Sequence, residues 1–432
     1  MNRDAILFTL GCRLNAADSA LLISRLERAN FRVVESAPPG SAALVVVNSC
    51  TVTAEAARKS RQAVRRFRAA HPDAFIVVTG CSAELDRELH LADGAADLVL
   101  SNPEKREIGP RILEALSGLP AHHRAALSLE EPVSAFAENA ESRFPFRSRA
   151  FLKIQEGCDN YCTYCIVPYA RGHERSRRFD EVIEDCRRAV GAGFPELVLT
   201  GVNTCAYRDA GRNLGALVRE ICAIEGDFRV RLSSTEPHPA NRELIDVIAS
   251  EPKVCRFLHL ALQHGSDRIL ERMNRHYRRA EYADFVREAR ERIPDLHLGS
   301  DLIVGFPGEG EEEFADSCAF VDSMRFANLH IFTYSPRRGT PAAEMPDRVP
   351  PEVARRRYRQ LRELAERSRR AFAQSQCGRE LPVIFETVDS AGFARGWSDN
   401  YLPIRLPASE AVFDRIVPVL VTPERVAEDA GN

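Results

Sequence analysis

Apolar and polar positions alternate along this chain in three regimes. In residues 1–116 short, nearly continuous apolar runs (Ile6–Leu10, Leu44–Val47, Phe75–Thr79 and Leu98–Leu100) are separated by stretches of helical period. Fully apolar runs flanked by helices are the mark of strands covered on both faces, which predicts a small parallel α/β domain. Across 117–149 the pattern dissolves into Pro, Ala, Ser and Glu, with Pro120, Pro132 and Pro145, and reads as a linker. From 150 to 376 six strand-like runs recur: Phe151–Glu156, Glu196–Gly201, Phe228–Ser233, Phe257–Gln263, Leu296–Val304 and Asn328–Tyr334. Helical stretches lie between them, so a partial (βα)6 barrel is expected, closed by the arginine-rich helix Val353–Arg370. Its function belongs at the C-terminal ends of its strands. In 377–432 four short runs (Leu381–Val388, Phe393–Trp397, Tyr401–Leu406 and Ile416–Val421) have no helical period between them, predicting a small β-barrel. The expected fold class is therefore α/β with a β appendage.

Composition changes this picture little. At 44% apolar and 28% charged, the 432-residue chain has enough hydrophobic material for several cores. No apolar run reaches the roughly 20 residues that cross a bilayer, so no membrane partner is expected. The chain enters a strand by Ile6 rather than a cleavable apolar leader. Together with twelve cysteines, this points to a reducing, cytoplasmic setting in which thiols bind metal or pack. A net charge of −3 argues against a broad nucleic-acid grip, but Arg58–Arg68 carries six cations, and Val353–Arg370 carries eight arginines against two glutamates.

The candidate chemistry lies in two sets of cysteines. Cys158, Cys162 and Cys165 form a C-x3-C-x2-C loop directly after an apolar strand. Three thiolates on one tight loop suit a four-iron cluster whose fourth iron stays open for reaction. Cys12, Cys50 and Cys81 are far apart in sequence, yet each follows the C-terminal end of a predicted strand, in the contexts Leu-Gly-Cys, Asn-Ser-Cys and Thr-Gly-Cys. In an open parallel sheet those ends share one crevice. Zinc competes for both sets, but structural zinc wants a fourth protein ligand that neither supplies. Cys186, Cys205, Cys222, Cys255, Cys318 and Cys377 have no partner spacing and read as packing residues, Cys205 lying nearest the barrel rim.

The loop Gly157–Cys165, with Tyr164 before the last cysteine, resembles the radical S-adenosylmethionine (SAM) signature. The order of domains resembles the methylthiotransferases. Leu10-Gly-Cys-Arg-Leu-Asn15, Asn48-Ser-Cys-Thr-Val-Thr53 and Ile331-Phe-Thr-Tyr-Ser335 look most like the branch acting on threonylcarbamoyladenosine in tRNA. The resemblance implies two [4Fe-4S] clusters. One, on Cys158, Cys162 and Cys165, cleaves SAM to a radical that attacks C2 of the adenine; the other, on Cys12, Cys50 and Cys81, holds the sulfur that a second SAM methylates. It further implies SAM contacts at Tyr164, Gly201, Asn203, Ser233, Ser234, Glu236 and Gln263, residues that otherwise read as helix caps and turn positions. Implied partners are a tRNA anticodon stem-loop and a low-potential electron donor of flavodoxin or ferredoxin type. The β appendage resembles the RNA-binding TRAM barrel, with Phe393, Trp397 and Tyr401 as core or stacking aromatics.

Four arginines in Arg171–Arg178 and the basic helix are candidate phosphate contacts. The pattern also departs from the family. The appendage has five arginines against nine acidic residues, Asp18 replaces the usual Glu, and Ala261 and His264 flank Gln263. Two alternatives stay open: the same chemistry on isopentenyladenosine tRNA or a ribosomal-protein aspartate, and a non-catalytic, metal-stabilised RNA-binding protein.

Overall fold

The computed structural model describes residues 3–92, 94–117, 148–237 and 241–427, so nearly all of the expected linker lies outside the described residues. The N-terminal domain is a five-stranded parallel sheet in the order Arg32–Val34, Asp4–Thr9, Leu44–Ser49, Phe75–Gly80, Leu98–Val99. The edge strand Arg32–Val34 has no place in the sequence expectation. Three residues with one exposed face bury too little to leave a hydrophobic signature. The central strands Leu44–Ser49 and Phe75–Gly80 are buried throughout, because helices cover both faces. Leu22 and Leu26 pack with Leu44, Val46 and Val77 on one side, while Val64 packs with Val45, Val47 and Val78 on the other.

The second domain is an open barrel made of two adjoining parallel sheets. Arg149–Lys153, Glu196–Thr200 and Arg229–Leu232 form one; Ser234–Thr235, Phe257–Leu260, His297–Val304 and Asn328–Thr333 form the other. The chain changes sheet at Ser233, between Leu232 and Ser234. Along each strand, alternation sends one set of side chains outward into the helix layer and the other into the lumen. Leu152, Leu197, Leu199, Leu258, Leu260, Leu298 and Leu302 belong to the outer core. Phe151 and Val198 instead pack on Ala16 and Ala17 of the N-terminal helix Arg13–Arg28, which thereby covers the open side of the barrel.

The closing helix runs Pro351–Gln376, longer at both ends than its arginine-rich stretch. It delivers the chain to a four-stranded antiparallel half-barrel in the order Pro403–Pro407, Phe393–Ser398, Glu380–Val388, Val417–Leu420. This half-barrel caps the bottom of the open barrel. Glu196, fully buried at the start of its strand, pairs with Arg229 (2.6 Å) and Arg231 (2.9 Å). Those arginines donate onward to the carbonyls of Pro382, Trp397, Ser398 and Asp399 at 2.9–3.0 Å. Trp397 stacks on Tyr401 at 4.6 Å, and Tyr401 packs on Phe257 at 4.9 Å. Both rings therefore belong to this interface, which is the core reading of the aromatics rather than the stacking one. Among the described residues no helix is long and apolar enough to cross a membrane.

Candidate functional site

The loop that carries the first cysteine set is held rigidly at the mouth of the barrel. Gly157 has φ +77°, and a Cβ there would lie 1.9 Å from the His173 carbonyl oxygen, so the turn into the loop requires glycine. Cys158 N–H donates to Gly172 O (3.2 Å) and Cys165 N–H to Cys162 O (2.9 Å). Thr163 donates to Met273 O through its backbone and to Arg272 O through its hydroxyl. Tyr164 packs on the cluster of Ile269, Met273, Phe306 and Ala342, so its ring anchors the loop. Burial pushes the Cys158 thiol up to about 11 and the Cys165 thiol up to about 12, with the Cys162 charge adding to each. Such thiols keep their protons until a metal ion takes the proton's place.

The second set lies on three adjacent strands of the N-terminal sheet. Its strand order has the switch point between Asp4–Thr9 and Leu44–Ser49, where Cys12 and Cys50 emerge. Cys12 caps helix Arg13–Arg28 and Cys81 opens helix Cys81–Leu85. The loops are strapped together: the Asn15 side chain donates to Leu10 O (2.7 Å) and Ser49 O (2.9 Å), and Asn48 donates to Asn15 O and the Ser19 hydroxyl, both at 2.9 Å. A Cβ on Gly11 would come within 2.7 Å of the Cys50 sulfur, and Gly11 has φ +102°. Burial, with the charges of Cys12 and Cys81 adding to it, raises the Cys50 thiol to about 11, which places all three within electrostatic reach.

Among the described residues, the His, Cys, Asp and Glu group whose ligand atoms all lie within 4.8 Å of one another is His259, Asp301 and His330. In neither cysteine set do all three sulfurs lie within 4.8 Å of one another, a wider spacing than the roughly 3.8 Å around one tetrahedral zinc. Three thiolates with no fourth protein ligand have the donor chemistry of a cubic iron–sulfur core.

Beyond Tyr164, the positions expected to meet SAM follow the second, third and fourth barrel strands at their C-terminal ends. Two carry buried polar atoms without a hydrogen-bond partner, Asn203 Oδ1 and Ser233 Oγ. Orphaned buried polar atoms are rare in proteins unless a ligand completes them. Gly201 lies against Gln155, where a Cβ would meet its side-chain oxygen at 2.9 Å. Ser234 is exposed. Glu236 receives Arg275 at 2.5 Å. Gln263 adopts φ +66°, while its backbone hydrogen-bonds Asp301 O and Ile303 N at 2.8 Å, holding an unfavourable conformation at the rim.

Three residues organise the site: Gln155 and Arg275, which sequence reading passes over, and Arg171, which it assigns to phosphate contact. Gln155 accepts from the N–H groups of Val202 and Asn203 (3.0 Å each) and donates to Gly157 O (2.8 Å), tying the cysteine loop to the next strand end. Arg275 donates to the Cys162 sulfur at 3.2 Å. Arg171, from the helix following the cysteine loop, crosses to the other domain and donates to the Cys81 sulfur at 3.2 Å. It also meets Asn15 (2.6 Å), Glu156 (2.8 Å) and Asp18 (3.1 Å). Asp18 is buried between Arg171, Lys105 and Lys153, so the shorter acid at this position belongs to an interdomain ion cluster. A buried arginine beside a cysteine loop carries no spacing signal of its own, and only tertiary contact reveals it.

The structure corrects the expectation of four phosphate-binding arginines in 171–178. Arg171 is buried and Arg177 pairs with Asp185 (2.8 Å); Arg175 is exposed but pairs with Glu156 (3.0 Å), so Arg178 is the most exposed of the four. On the closing helix Arg357 is likewise buried against Glu309 (2.7 Å). Arg355, Arg359 and Arg362 are exposed along one face, at the i, i+4, i+7 spacing. Cys186, Cys205 and Cys222 lie in the barrel core and Cys255 is buried beside it, as packing residues do.

Comparison with known proteins agrees with this geometry. Residues 152–321 match the radical SAM superfamily, and residues 5–101 match the uncharacterized protein family UPF0004. The threonylcarbamoyladenosine tRNA methylthiotransferase MtaB of Bacillus subtilis (strain 168) is 34% identical over 426 residues, spanning 96% of this chain and 92% of the relative. A tRNA-2-methylthio-N(6)-dimethylallyladenosine synthase of Moorella thermoacetica is also 34% identical, over 96% of this chain and 95% of the relative. Identity alone thus does not separate the two substrate types. In fold, the chain is similar to the radical S-adenosylmethionine methyltransferase TsrM of Kitasatospora setae (TM-score 0.57, 16% identity, 79% of this chain and 77% of that one). With a radical SAM core and relatives more than 30% identical along almost its whole length, the chain belongs to the radical SAM methylthiotransferase family.

Proposed function

We propose that this protein is a tRNA-modifying enzyme that adds a 2-methylthio group to N6-threonylcarbamoyladenosine beside the anticodon. The observation that carries the reading is the contact between the two three-thiol regions across the domain junction, where Arg171, on the helix that follows one set, donates to the Cys81 sulfur of the other. In this reading Cys158, Cys162 and Cys165 hold a four-iron cluster that binds SAM, and Cys12, Cys50 and Cys81 hold a second four-iron cluster. When bound, these groups supply one-electron cleavage of one SAM, the sulfur atom, and a methyl group from a second SAM.

The chain's own residues bind and orient. Asn203 Oδ1 and Ser233 Oγ are acceptors for SAM's ammonium and hydroxyl hydrogens. Arg275 fixes Glu236 while donating to Cys162, so one guanidinium sets both the carboxylate and a cluster sulfur. Gln155 keeps the Val202–Asn203 turn at a fixed distance from the cysteine loop. Arg355, Arg359 and Arg362 supply sequence-independent phosphate contacts, and a loop nucleotide, already unpaired, enters the space at low cost. Electrons come from a low-potential flavodoxin- or ferredoxin-like donor.

The test is nucleoside mass spectrometry of tRNA from a strain lacking the gene, and of the same tRNA treated with the reconstituted enzyme. Loss and restoration of 2-methylthio-threonylcarbamoyladenosine is expected. Loss of the dimethylallyl product instead, or an unchanged profile, rejects the proposal.

A further inference from the structure

The barrel lumen below the cysteine sets contains a charged group with no role in holding either cluster. Arg13, next in sequence to Cys12, points into the lumen, where its guanidinium donates to the Tyr401 hydroxyl (3.0 Å) and lies 5.9 Å from the centre of the Phe257 ring. Among the described residues it pairs with no carboxylate. Opposite it, three neighbouring strands turn His259, Asp301 and His330 to the lumen. Asp301 and His330 are directly opposed in register, and His259 Nε2 lies 3.1 Å from Asp301 Oδ2. The Arg13 charge acts on Asp301 and His330, lowering the pKa of each behind larger effects, which puts the guanidinium within electrostatic reach of both. Two residues beyond His330 and on the same face by strand alternation, Phe332 is 44% exposed, a large open aromatic surface.

Three properties of this floor narrow its occupant. A half-buried guanidinium without an anionic partner forgoes its strongest interaction, a charge-assisted pair with a planar carboxylate. The two histidines and Asp301 offer both donors and acceptors, which suits a group bearing hydroxyl and ureido N–H functions beside its carboxylate. An apolar substituent would instead strip water from all four polar side chains without replacing the lost hydrogen bonds. The same His–Asp–His set could grip a divalent cation, but Arg13 beside it repels one.

We infer that this floor, formed by Arg13, His259, Asp301 and His330, is the subsite for the substituent on the target adenine, and that Arg13 selects a substituent carrying a carboxylate. The inference rests on the proposed function and deepens it. Phe332 stacks on the base, and the N6 group extends down the lumen. Selectivity between the two substrate types named among the relatives then comes from one cation: the threonylcarbamoyl group carries a carboxylate, whereas the dimethylallyl group is hydrocarbon.

The experiment measures binding of three anticodon stem-loop RNAs to cluster-loaded protein by fluorescence anisotropy. They carry threonylcarbamoyladenosine, its methyl ester and dimethylallyladenosine. The unmodified protein should bind the acid at least about tenfold more tightly than the ester, the scale of one charge-assisted hydrogen bond. Arg13→Gln should erase that acid-over-ester preference while leaving ester affinity and iron content unchanged, and Arg13→Lys should restore part of it. Asp301→Asn, which removes the acid facing the guanidinium, should widen the preference. Because acid and ester are compared within each variant, general damage to the fold or to the cluster beside Cys12 cancels. A preference that survives Arg13→Gln, or that fails to widen in Asp301→Asn, overturns this inference alone. Stoichiometric non-iron metal that disappears in His330→Ala also overturns it. Tightest binding of the dimethylallyl RNA overturns both this inference and the substrate proposed above.

Discussion

The two ends of the barrel use similar side chains for opposite purposes. At the bottom, Glu196, Arg229 and Arg231 are buried and matched, guanidinium to carboxylate and guanidinium to carbonyl, across the interface with the C-terminal half-barrel. At the mouth, Asn203 Oδ1 and Ser233 Oγ are buried without partners, and in the lumen between the two ends Arg13 makes no ion pair with a carboxylate. Matched ion pairs fix how these domains sit on one another, while the unsatisfied polar atoms at the strand ends of the mouth are open to a ligand. Composition cannot draw that distinction, since both ends are rich in Arg, Ser and Glu.

The comparison can be broken most directly at the thiols. Anaerobic iron and sulfide analysis should find about eight irons per chain, falling to about four in Cys158→Ala and to about four in Cys50→Ala, with methylthiolation abolished in each. Loss of all iron in either variant would mean the two sets are not independent.

The next effect belongs to the bottom. Glu196→Ala strands buried arginines and should cost about 3–5 kcal/mol in urea denaturation of the cluster-free protein. Asn203→Ala, by contrast, removes an atom that nothing in the protein uses. It should leave the urea midpoint nearly unchanged while weakening SAM binding roughly tenfold in equilibrium dialysis. Should Asn203→Ala destabilise the fold as much as Glu196→Ala, the division between the two ends disappears.

A smaller, pH-dependent effect sharpens the bottom further. His297 is buried among Phe257 (5.3 Å), Phe372 (5.1 Å) and Tyr401 (6.0 Å), and burial pushes its pKa down to about 3. Below about pH 6.5 the unfolded chain takes up a proton that the folded chain refuses. Stability then falls by about 1.4 kcal/mol per pH unit until about pH 3. His297→Phe removes this contribution, so the stability difference between the two proteins should shift by about 2 kcal/mol in favour of the variant between pH 7 and pH 5. Parallel pH profiles would show that His297 titrates normally.

Much of this organisation is legible before folding. Strand runs mark the domains, and the placement of Cys12, Cys50 and Cys81 just past three strand ends anticipates their emergence from adjacent strands. Asn15 and Asn48, conspicuous only as parts of short motifs, turn out to strap the Cys12 and Cys50 loops together. Other features are illegible because their signal is not local. The edge strand Arg32–Val34 is too short to imprint a period. The arginines of 171–178 look like an RNA-binding stretch, yet Glu156, Asp185 and, from the N-terminal domain, Asp18 neutralise most of them. Trp397 and Tyr401 have the composition of a stacking platform but pack against another domain.

By itself the sequence determined which atoms are available for chemistry and on which local elements they lie, because strand period, glycine turns and thiol spacing are short-range properties. Only the tertiary structure decided which charges are matched and which remain open. A guanidinium's function depends on the carboxylate, carbonyl, hydroxyl or sulfur that folding brings within about 3 Å of it, and such partners come from residues more than 100 positions away for Arg13, Arg231 and Arg275 alike.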